Sequence, residues 1–363
     1  YRKLLDIKFF QLSDLHRENL HRRGFSDEAI ERNGYRSISA DFPWVNRYWK
    51  AKEQYQKLIP SIRKDNILKR RTPERLIAGL IAASILAKCG CELRGVPGFF
   101  RIDGVWCFNL EPGMLIPTLN AVGQIVALQV RRDKPSDWND YCKRTGQNKE
   151  FLRYMTISAK GLPDGVTTDI SQAHFPLGND SLDDPETAVC ITEGPLKADA
   201  AVELKGNRKM FFIALHGTSN TKTLPAIFAW LKGKGVETVF NVFDMDKVTN
   251  VNVAKAGKRV RAIAAGYGIK LAEKCWDAEY AQRKLSELNA ICCEHGIFVP
   301  TTFNVFTDLA NVSQELAKRN IRHSRVKNAD GLEEKHYWSD KTKGIDDYLL
   351  SIRTATGGEG ASA

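Results

Sequence analysis

The chain has 363 residues, 43% of them apolar, and its 54 Lys and Arg against 43 Asp and Glu give a net charge of +11. This length and composition can bury a sizeable core, which excludes wholesale disorder. The length predicts two packed units, or one large unit with insertions. The longest apolar run, residues 76–86, is shorter than the ~18 residues that a membrane helix needs.

Eight cysteines are too few for a disulfide scaffold, so we expect a reduced, cytoplasmic protein with no membrane partner. The basic excess favours polyanionic partners, nucleic acid before anionic membrane. The alternative is that the excess charge is scattered over a solvated surface.

Residues 1–92 are predicted to form a helical region. Ser13 and Ser26 can cap helices over 14–21 and 27–33, which the glycines at 24 and 34 end. Residues 44–75 interleave basic and aromatic side chains, a composition that suits single-stranded nucleic acid because bases stack while phosphates pair with cations. The alternative is an amphipathic surface helix whose aromatic side chains face inward.

Residues 93–180 are predicted to form a smaller mixed subdomain, with strands at 101–108, 114–117, 124–131 and 153–158. From about residue 186 strands alternate with helices. The predicted strands are 188–192, 210–215 and 238–243, and the predicted helices are 195–204, 224–232 and 251–267. This alternation predicts an α/β domain with crossover helices and a mainly parallel sheet. A further helical stretch is predicted at 278–293.

Acidic residues follow two of the apolar strands. Glu193 ends the strand before Gly194, and Asp244 and Asp246 follow the strand at 238–243. Alternation along a strand should point both aspartates the same way, and the carboxyl ends of parallel strands are where open α/β sheets hold ligands. Three converging carboxylates need a hard divalent cation such as Mg²⁺. The alternative is that each is an ordinary acidic residue at a helix start.

Glu-Gly after one strand and Asp-x-Asp after another resemble the TOPRIM domain shared by bacterial-type primases, topoisomerases and some nucleases. Other segments resemble the motifs that accompany the TOPRIM domain in primases, and they occur along this chain in the same order as in those proteins. They lie at 12–37, 113–117, 123–131, 153–161, 213–218 and 343–349. The resemblance leaves 41–92 and 271–335 uncovered. It implies a TOPRIM catalytic domain over 181–353 with an insertion at 271–335, preceded by a primase-like subdomain at 93–180 and followed by a flexible tail at 354–363.

The resemblance also implies roles for individual residues. Glu193, Asp244 and Asp246 would bind one or two Mg²⁺ or Mn²⁺ ions that hold nucleotide phosphates. Asp346 or Asp347 would complete this metal site, although either could simply cap the following helix.

Basic positions matching the same motifs are expected to touch nucleic acid or nucleotide. Arg131 would contact template or nucleotide, and Lys160 would face nucleotide, although each could be an ordinary surface residue. Lys197 departs from the pattern, because bacterial primases usually carry an acidic residue there. Lys197, Lys247 and Lys343 could touch phosphate or merely balance the carboxylates.

Other chemistries find little support in the sequence. The cysteines at 89, 91, 292 and 293 lack zinc spacing, so no structural zinc is expected. His174 and His216 are expected to hydrogen-bond in a loop or core. No phosphate-binding loop of the helicase type occurs.

Together these features predict a Mg²⁺-dependent, primase-like nucleotidyltransferase from a phage, plasmid or other mobile element. Its expected partners are single-stranded DNA template, nucleoside triphosphates and a separate or fused replicative helicase. Two alternatives stay open: a TOPRIM nuclease that uses the same carboxylates, and a catalytically silent module that binds nucleic acid or a helicase.

Overall fold

The computed structural model describes residues 1–39, 41–133, 152–168, 172–248, 251–274, 276, 286, 289–297, 315–316, 318–319, 325–327, 333–335 and 342–357. The chain divides into two compact units: unit 1 holds residues 1–22 and 26–172, and unit 2 holds residues 23–25 and 173–363. Most of the predicted insertion at 271–335, most of the predicted helix at 278–293 and the end of the tail lie outside the described residues. The boundaries predicted at 92 and 180 stay predictions. Within the described ranges, no helix combines the length and apolarity needed to cross a bilayer.

Unit 1 begins with helices. They are α1 (Arg2–Leu5), α2 (Asp14–His21), α3 (Asp27–Asn33), α4 (Trp49–Lys64) and α5 (Pro73–Lys88). The side chains of Ser13 and Ser26 cap α2 and α3, accepting hydrogen bonds from the amides of His16 and Ala29. α5 is buried along most of its length because its sequence is apolar on nearly every side.

The basic and aromatic segment of unit 1 is only partly exposed. Trp44 stacks on Phe9 with ring centroids 4.4 Å apart, and Tyr48 meets the same phenylalanine edge-on at 5.3 Å. Trp49, at the start of α4, is 60% exposed. Most of the aromatic surface here therefore belongs to the core, as the amphipathic alternative supposes, and Trp49 is the ring that faces solvent.

The strands of unit 1 are antiparallel. They are β1 (Arg36–Ile38), β2 (Phe99–Ile102), β3 (Val105–Phe108), β4 (Gly113–Leu119), β5 (Ile125–Arg131) and β6 (Tyr154–Thr156). One sheet has the order β1-β4-β5-β6, and β2 pairs with β3 as a hairpin. The single strand predicted at 101–108 is wrong, because Asp103 and Gly104 both have positive φ (47° and 78°) and turn the chain back.

Unit 2 contains the predicted alternation of strands and helices. Its elements are β7 (Ala188–Glu193), α6 (Pro195–Leu204), β8 (Met210–Leu215), α7 (Leu224–Gly233), β9 (Thr238–Asn241), α8 (Val251–Gly266), β10 (Lys270–Glu273), β11 (Arg325–Lys327), β12 (Glu333–Lys335) and α9 (Ile345–Gly357). β11 and β12 form a separate antiparallel pair.

The main sheet of unit 2 is parallel, with the order β10-β9-β7-β8. Right-handed crossovers place α6 on one face and α7 and α8 on the other, since the chain moves from β7 to β8 in one direction and from β8 to β9 to β10 in the opposite one. Apolar side chains of α7 and α8 pack with those of the strands in one buried cluster. The predicted α/β class, with a mainly parallel sheet flanked by helices, a mixed α+β region and a helical N-terminal region, is confirmed.

Candidate functional site

The strand order of unit 2 reverses direction between β7 and β9, and such a reversal places a binding crevice at the carboxyl ends of these two strands. The chain leaves β7 towards β8 but leaves β9 towards β10, in opposite directions across the sheet. At such a reversal the loops after the two strands separate, and a crevice opens outside their carboxyl ends. Glu193 is the last residue of β7, and Asp244 follows shortly after the end of β9. The topology therefore brings the predicted carboxylates to the position where this fold class holds ligands.

The turn after β7 positions Glu193 and Lys197. Gly194 has φ of +84°, a conformation that favours glycine, and it forms the N-cap position of α6. Pro195 then begins the helix. Because Lys197 lies four residues beyond Glu193, the first turn of α6 brings its Nζ to 3.2 Å from Glu193 Oε1.

The Asp-x-Asp segment does not continue the strand, as the prediction assumed, although both aspartates face the same lysine, Lys343. β9 ends at Asn241, not at residue 243. The Val242 amide still donates to the Ile191 carbonyl at 2.9 Å, but the Phe243 amide donates to the Asn241 side-chain oxygen at 3.1 Å, and this turn directs the chain away from the strand. Asp246 lies in a 3₁₀ turn, Met245–Val248. A side-chain turn, and not strand alternation, thus directs the two aspartates.

Five charged side chains alternate in sign across the crevice. Lys197 Nζ lies between Glu193 and Asp244, donating to Oδ1 of the latter. Lys343 Nζ lies between Asp244 and Asp246, at 3.4 Å from Oδ2 of Asp244 and 3.1 Å from Oδ2 of Asp246. The three predicted metal ligands are therefore brought together as predicted, but lysine ammonium groups bridge them in pairs.

A second acidic group joins the cluster at the start of α9. Asp346 is 97% buried: its Oδ2 accepts from Arg23 at 2.9 Å, while its buried Oδ1 has no hydrogen-bond partner among the described residues. Asp347 accepts from the amide of Gly344 at 3.0 Å, so it caps α9. A Cβ at Gly344 would lie 2.5 Å from Asp346 Oδ1, 3.1 Å from Asp347 Oδ2 and 3.5 Å from Asp244 Oδ1. Three carboxylate oxygens thus converge beside this glycine.

Burial and neighbouring charges shift the proton affinities of the cluster. Burial, followed by the negative charge of Asp244, raises the pKa of Glu193 to about 7 against the opposing effect of Lys197. Burial and the adjacent Asp347 raise the pKa of Asp346 to about 6. Burial alone would raise the pKa of Asp244, but the ammonium group of Lys197 outweighs it and lowers that pKa below its ordinary value.

Lys247 lies apart from this cluster. It is 94% buried, and its Nζ donates to the backbone carbonyls of Asn241 at 3.0 Å and Lys274 at 2.5 Å, over the ring of Trp276. These contacts tie the turn after β9 to the end of β10. The position gives Lys247 a structural role in holding the Asp-x-Asp segment.

The predicted basic contacts of unit 1 lie on and near the antiparallel sheet. Arg131 ends β5, between Met114 on one neighbouring strand and Tyr154 on the other. Its buried Nε has no hydrogen-bond partner within the described ranges. Lys160 is exposed at a turn before Gly161. Nucleotide or template contact by these two residues stays a prediction.

The two histidines singled out from the sequence, His174 and His216, are buried or largely enclosed. His174 Nε2 lies 2.8 Å from Oδ1 of the buried Asp199, and its backbone pairs with Ala214. Burial lowers the pKa of His216 to about 4, so its ring is neutral at pH 7. Both placements fit the hydrogen-bonding role in the core or a loop that the sequence suggested.

Two components of the site were missed from the sequence. Arg23 lies 323 positions before Asp346 in the chain, and no local pattern links the two. Gly344 lies in the segment 343–349 that resembles a primase motif, but the glycine alone does not show that carboxylate oxygens converge beside it. Over the ranges described above, no three carboxylate, imidazole or thiolate groups are arranged to chelate a metal ion as they stand. Lysine ammonium groups lie between the carboxylates.

Comparison with known proteins finds similar solved structures but no similar sequence. No protein-family profile matches the chain, and no curated protein matches its sequence. Solved structures that it resembles are bacterial primase catalytic cores. The Aquifex aeolicus primase, with its zinc-binding and RNA polymerase domains, aligns at 12% identity and a TM-score of 0.44 over 88% of this chain, which spans 59% of that structure.

Two further neighbours are similar in kind. The RNA polymerase domain of Mycobacterium tuberculosis primase DnaG aligns at 14% identity and a TM-score of 0.43, over 85% of this chain and 92% of that one. A DNA primase domain from Pseudomonas aeruginosa aligns at 14% identity and a TM-score of 0.42, over 87% of this chain and 88% of that one. With TM-scores below 0.5, this similarity does not establish an activity, which has to be argued from the site.

Proposed function

We propose that this chain is a Mg²⁺-dependent DNA primase-like nucleotidyltransferase. It joins ribonucleotides on a single-stranded DNA template, the 3′-hydroxyl of one nucleotide attacking the α-phosphorus of the next as pyrophosphate leaves. The observation that carries the proposal is the charged cluster of unit 2, at the carboxyl ends of β7 and β9. Its order and spacing along the chain are those of the TOPRIM resemblance.

The charge of the cluster supports a cation site. Five carboxylates meet there, from Glu193 and the four aspartates of 244, 246, 346 and 347, against three cationic side chains, those of Arg23, Lys197 and Lys343. When all are ionised, two negative charges remain in a largely buried place. One divalent cation would neutralise them, which is the least costly way to keep the carboxylates ionised.

The donor atoms also fit Mg²⁺. Every carboxylate presents hard oxygen ligands, which this ion prefers over nitrogen or sulfur. The buried Oδ1 of Asp346 lacks a hydrogen-bond partner among the described residues and lies beside the space that a Gly344 side chain would fill. We therefore assign Asp244, Asp246 and Glu193 as the residues that would hold the ion, with Asp346 as an added ligand. Mn²⁺ would fit the same oxygens.

Each part of the cluster has a defined task in this proposal. Bound Mg²⁺ supplies charge neutralisation for the nucleotide phosphates. Lys343, on the exposed side of the cluster and 26% accessible, turns from Asp246 to a phosphate oxygen. Asp347 keeps α9 in place through the Gly344 amide, so Asp346 stays aimed into the cluster.

The basic charge of the chain supports a template-binding role for unit 1. This unit has 28 Lys and Arg against 19 Asp and Glu, whereas unit 2 has 26 against 24. Most of the net charge of +11 is therefore in unit 1, and a basic domain is the electrostatic signature of a polyanion partner. We assign Arg131 and Lys160 to template or nucleotide contact, with Trp49 on α4 as an exposed ring for base stacking. Replication of a phage, plasmid or mobile element in the cytoplasm, beside a helicase, is the setting that fits.

The direct test is primer synthesis. The full chain is incubated with single-stranded DNA, labelled ribonucleotides and Mg²⁺, beside the double variant Asp244→Ala/Asp246→Ala. We expect labelled oligonucleotides from the unaltered chain and at least a 100-fold loss in the variant, since its two carboxylates cannot be replaced by neighbours.

The matched control is Asp183→Ala, which removes an exposed carboxylate of the same unit and should leave synthesis unchanged. A shortened template without synthesis would instead identify the nuclease. Template binding without either product, in the presence of a helicase as well, would identify the silent binding module.

A further inference from the structure

Lys197 is held in the cluster by the fold itself. It is the third residue of α6, and its amide donates to the Gly194 carbonyl at 3.2 Å in the first turn of the helix. Its side chain is three-quarters buried. Because the helix is buried along nearly its whole length, the Cα of Lys197 cannot move without disturbing the packing of unit 2.

The ammonium group lies where a shared cation would lie. Lys197 Nζ contacts Oε1 of Glu193 and Oδ1 of Asp244, which end or follow two adjacent parallel strands. An ion bridging these two carboxylates would need the same space. Lys343 differs, because it belongs to the segment before α9 and contacts the other oxygen of Asp244.

We propose that Lys197 is a permanent cation that takes the place of a second divalent ion, so that the cluster holds one divalent cation and not two. This inference rests on the metal site proposed above. The sequence resemblance implied one or two bound ions at that site, and the inference is that there is one. This narrows the ligand set proposed above: Asp244, Asp246 and Asp346 hold the single ion, and Glu193 contacts Lys197 in place of the ion. Glu193 then acts as the counter-ion that keeps Lys197 in position.

The charge balance of the cluster supports one bound divalent ion. When all five carboxylates are ionised, two negative charges remain after Lys197, Lys343 and Arg23 are counted, and a single divalent ion balances them. A second divalent ion would lie against the Lys197 ammonium and be repelled by it.

The test counts bound ions without using activity. Mn²⁺ is titrated into the full chain, and the free ion is followed by its electron paramagnetic resonance signal. We expect one tightly bound Mn²⁺ per chain. In Lys197→Glu a carboxylate replaces the ammonium, and we expect two.

Two further variants make the count specific. Lys197→Arg keeps the charge and should bind one ion. Lys232→Glu makes the same charge change on an exposed position of α7 and should also bind one. If the glutamate variant fails to fold by circular dichroism, Lys197→Gln decides, since loss of the ammonium alone should admit a second ion at least tenfold more weakly than the first.

The possible results separate this inference from the function it rests on. Two ions in the unaltered chain, or one ion in folded Lys197→Glu, overturns the role of Lys197 and leaves the metal site standing. No bound ion in any form overturns the metal site and the inference together. A second ion in Lys232→Glu would show that overall charge sets the count, which also overturns it.

Discussion

Single residues of the cluster differ in how firmly they are held. Lys197 is fixed by α6, whereas Lys343 lies in the segment that precedes α9 and is 26% accessible. Arg23 holds one oxygen of Asp346 and leaves the other inside the cluster. The residue that an incoming cation displaces most easily is therefore Lys343.

Replacing Lys343 with Met tests this difference. The change removes an ammonium group that competes for Asp244 and Asp246, and at short range a unit charge near a protein surface is worth several kcal/mol. Only part of that appears in binding, because the lysine can turn to solvent, so we expect Mn²⁺ to bind about tenfold more tightly, which corresponds to ~1.4 kcal/mol. Isothermal titration calorimetry on the full chain measures the affinity.

Lys232→Met is the matched control and should leave the Mn²⁺ affinity unchanged. Equal or weaker binding in Lys343→Met would mean that this lysine supports the ion site instead of competing for it. Repeating the calorimetry in two buffers with different ionisation enthalpies gives the number of protons released when Mn²⁺ binds. An equal number in the two proteins shows that the gain in Mn²⁺ affinity does not come from a change in carboxylate protonation.

At the scale of elements, the parallel half of the fold could be predicted because its strands are short apolar runs with turn residues at both ends. β7, α6 and β8 lie within one residue of their predicted bounds. The exit from β9 could not be predicted, because it depends on one Asn241 side chain that accepts from the Phe243 amide in place of the ladder. The contact between Arg23 and Asp346 could not be predicted either, because the two residues are far apart in the sequence and only the fold brings them together.

The start of α9 is the element on which the cluster depends most. Gly344 leaves room for three carboxylate oxygens, the nearest of which is 2.5 Å from the place of a Cβ. Gly344→Ala should push Asp346 and Asp347 aside at a cost of about 1–3 kcal/mol in the free energy of unfolding. We expect a lower melting temperature together with a loss of Mn²⁺ binding.

Gly233→Ala provides the comparison, because nothing lies within 4 Å of a Cβ at that end of α7. It should keep or slightly raise the melting temperature, because alanine favours the helix more than glycine does, and it should leave the Mn²⁺ affinity unchanged. Normal ion binding in Gly344→Ala would show that the oxygens beside this glycine do not belong to the ion site. Differential scanning calorimetry and the Mn²⁺ titration give the two quantities on the same samples.

Over the whole molecule, the net positive charge is distributed unevenly between the two units. Unit 1 carries an excess of nine positive charges and unit 2 an excess of two. A polyanion is therefore attracted mainly to unit 1, while unit 2 combines near neutrality with a compact acidic cluster. This division fits a protein in which one unit holds the template and the other neutralises nucleotide phosphates.

The salt dependence of template binding tests that division. For single-stranded DNA the slope of log K against log salt is about −0.7 for each phosphate that a cationic side chain neutralises. Arg131→Ala and Lys160→Ala should each make the slope of the full chain shallower by about 0.7, measured by fluorescence anisotropy on a labelled thymidine oligonucleotide. Lys232→Ala, on unit 2, should leave the slope unaltered. A loss of affinity with the slope unchanged would mean that these residues shape unit 1 without contacting phosphate, and a changed slope in Lys232→Ala would place template contacts on unit 2.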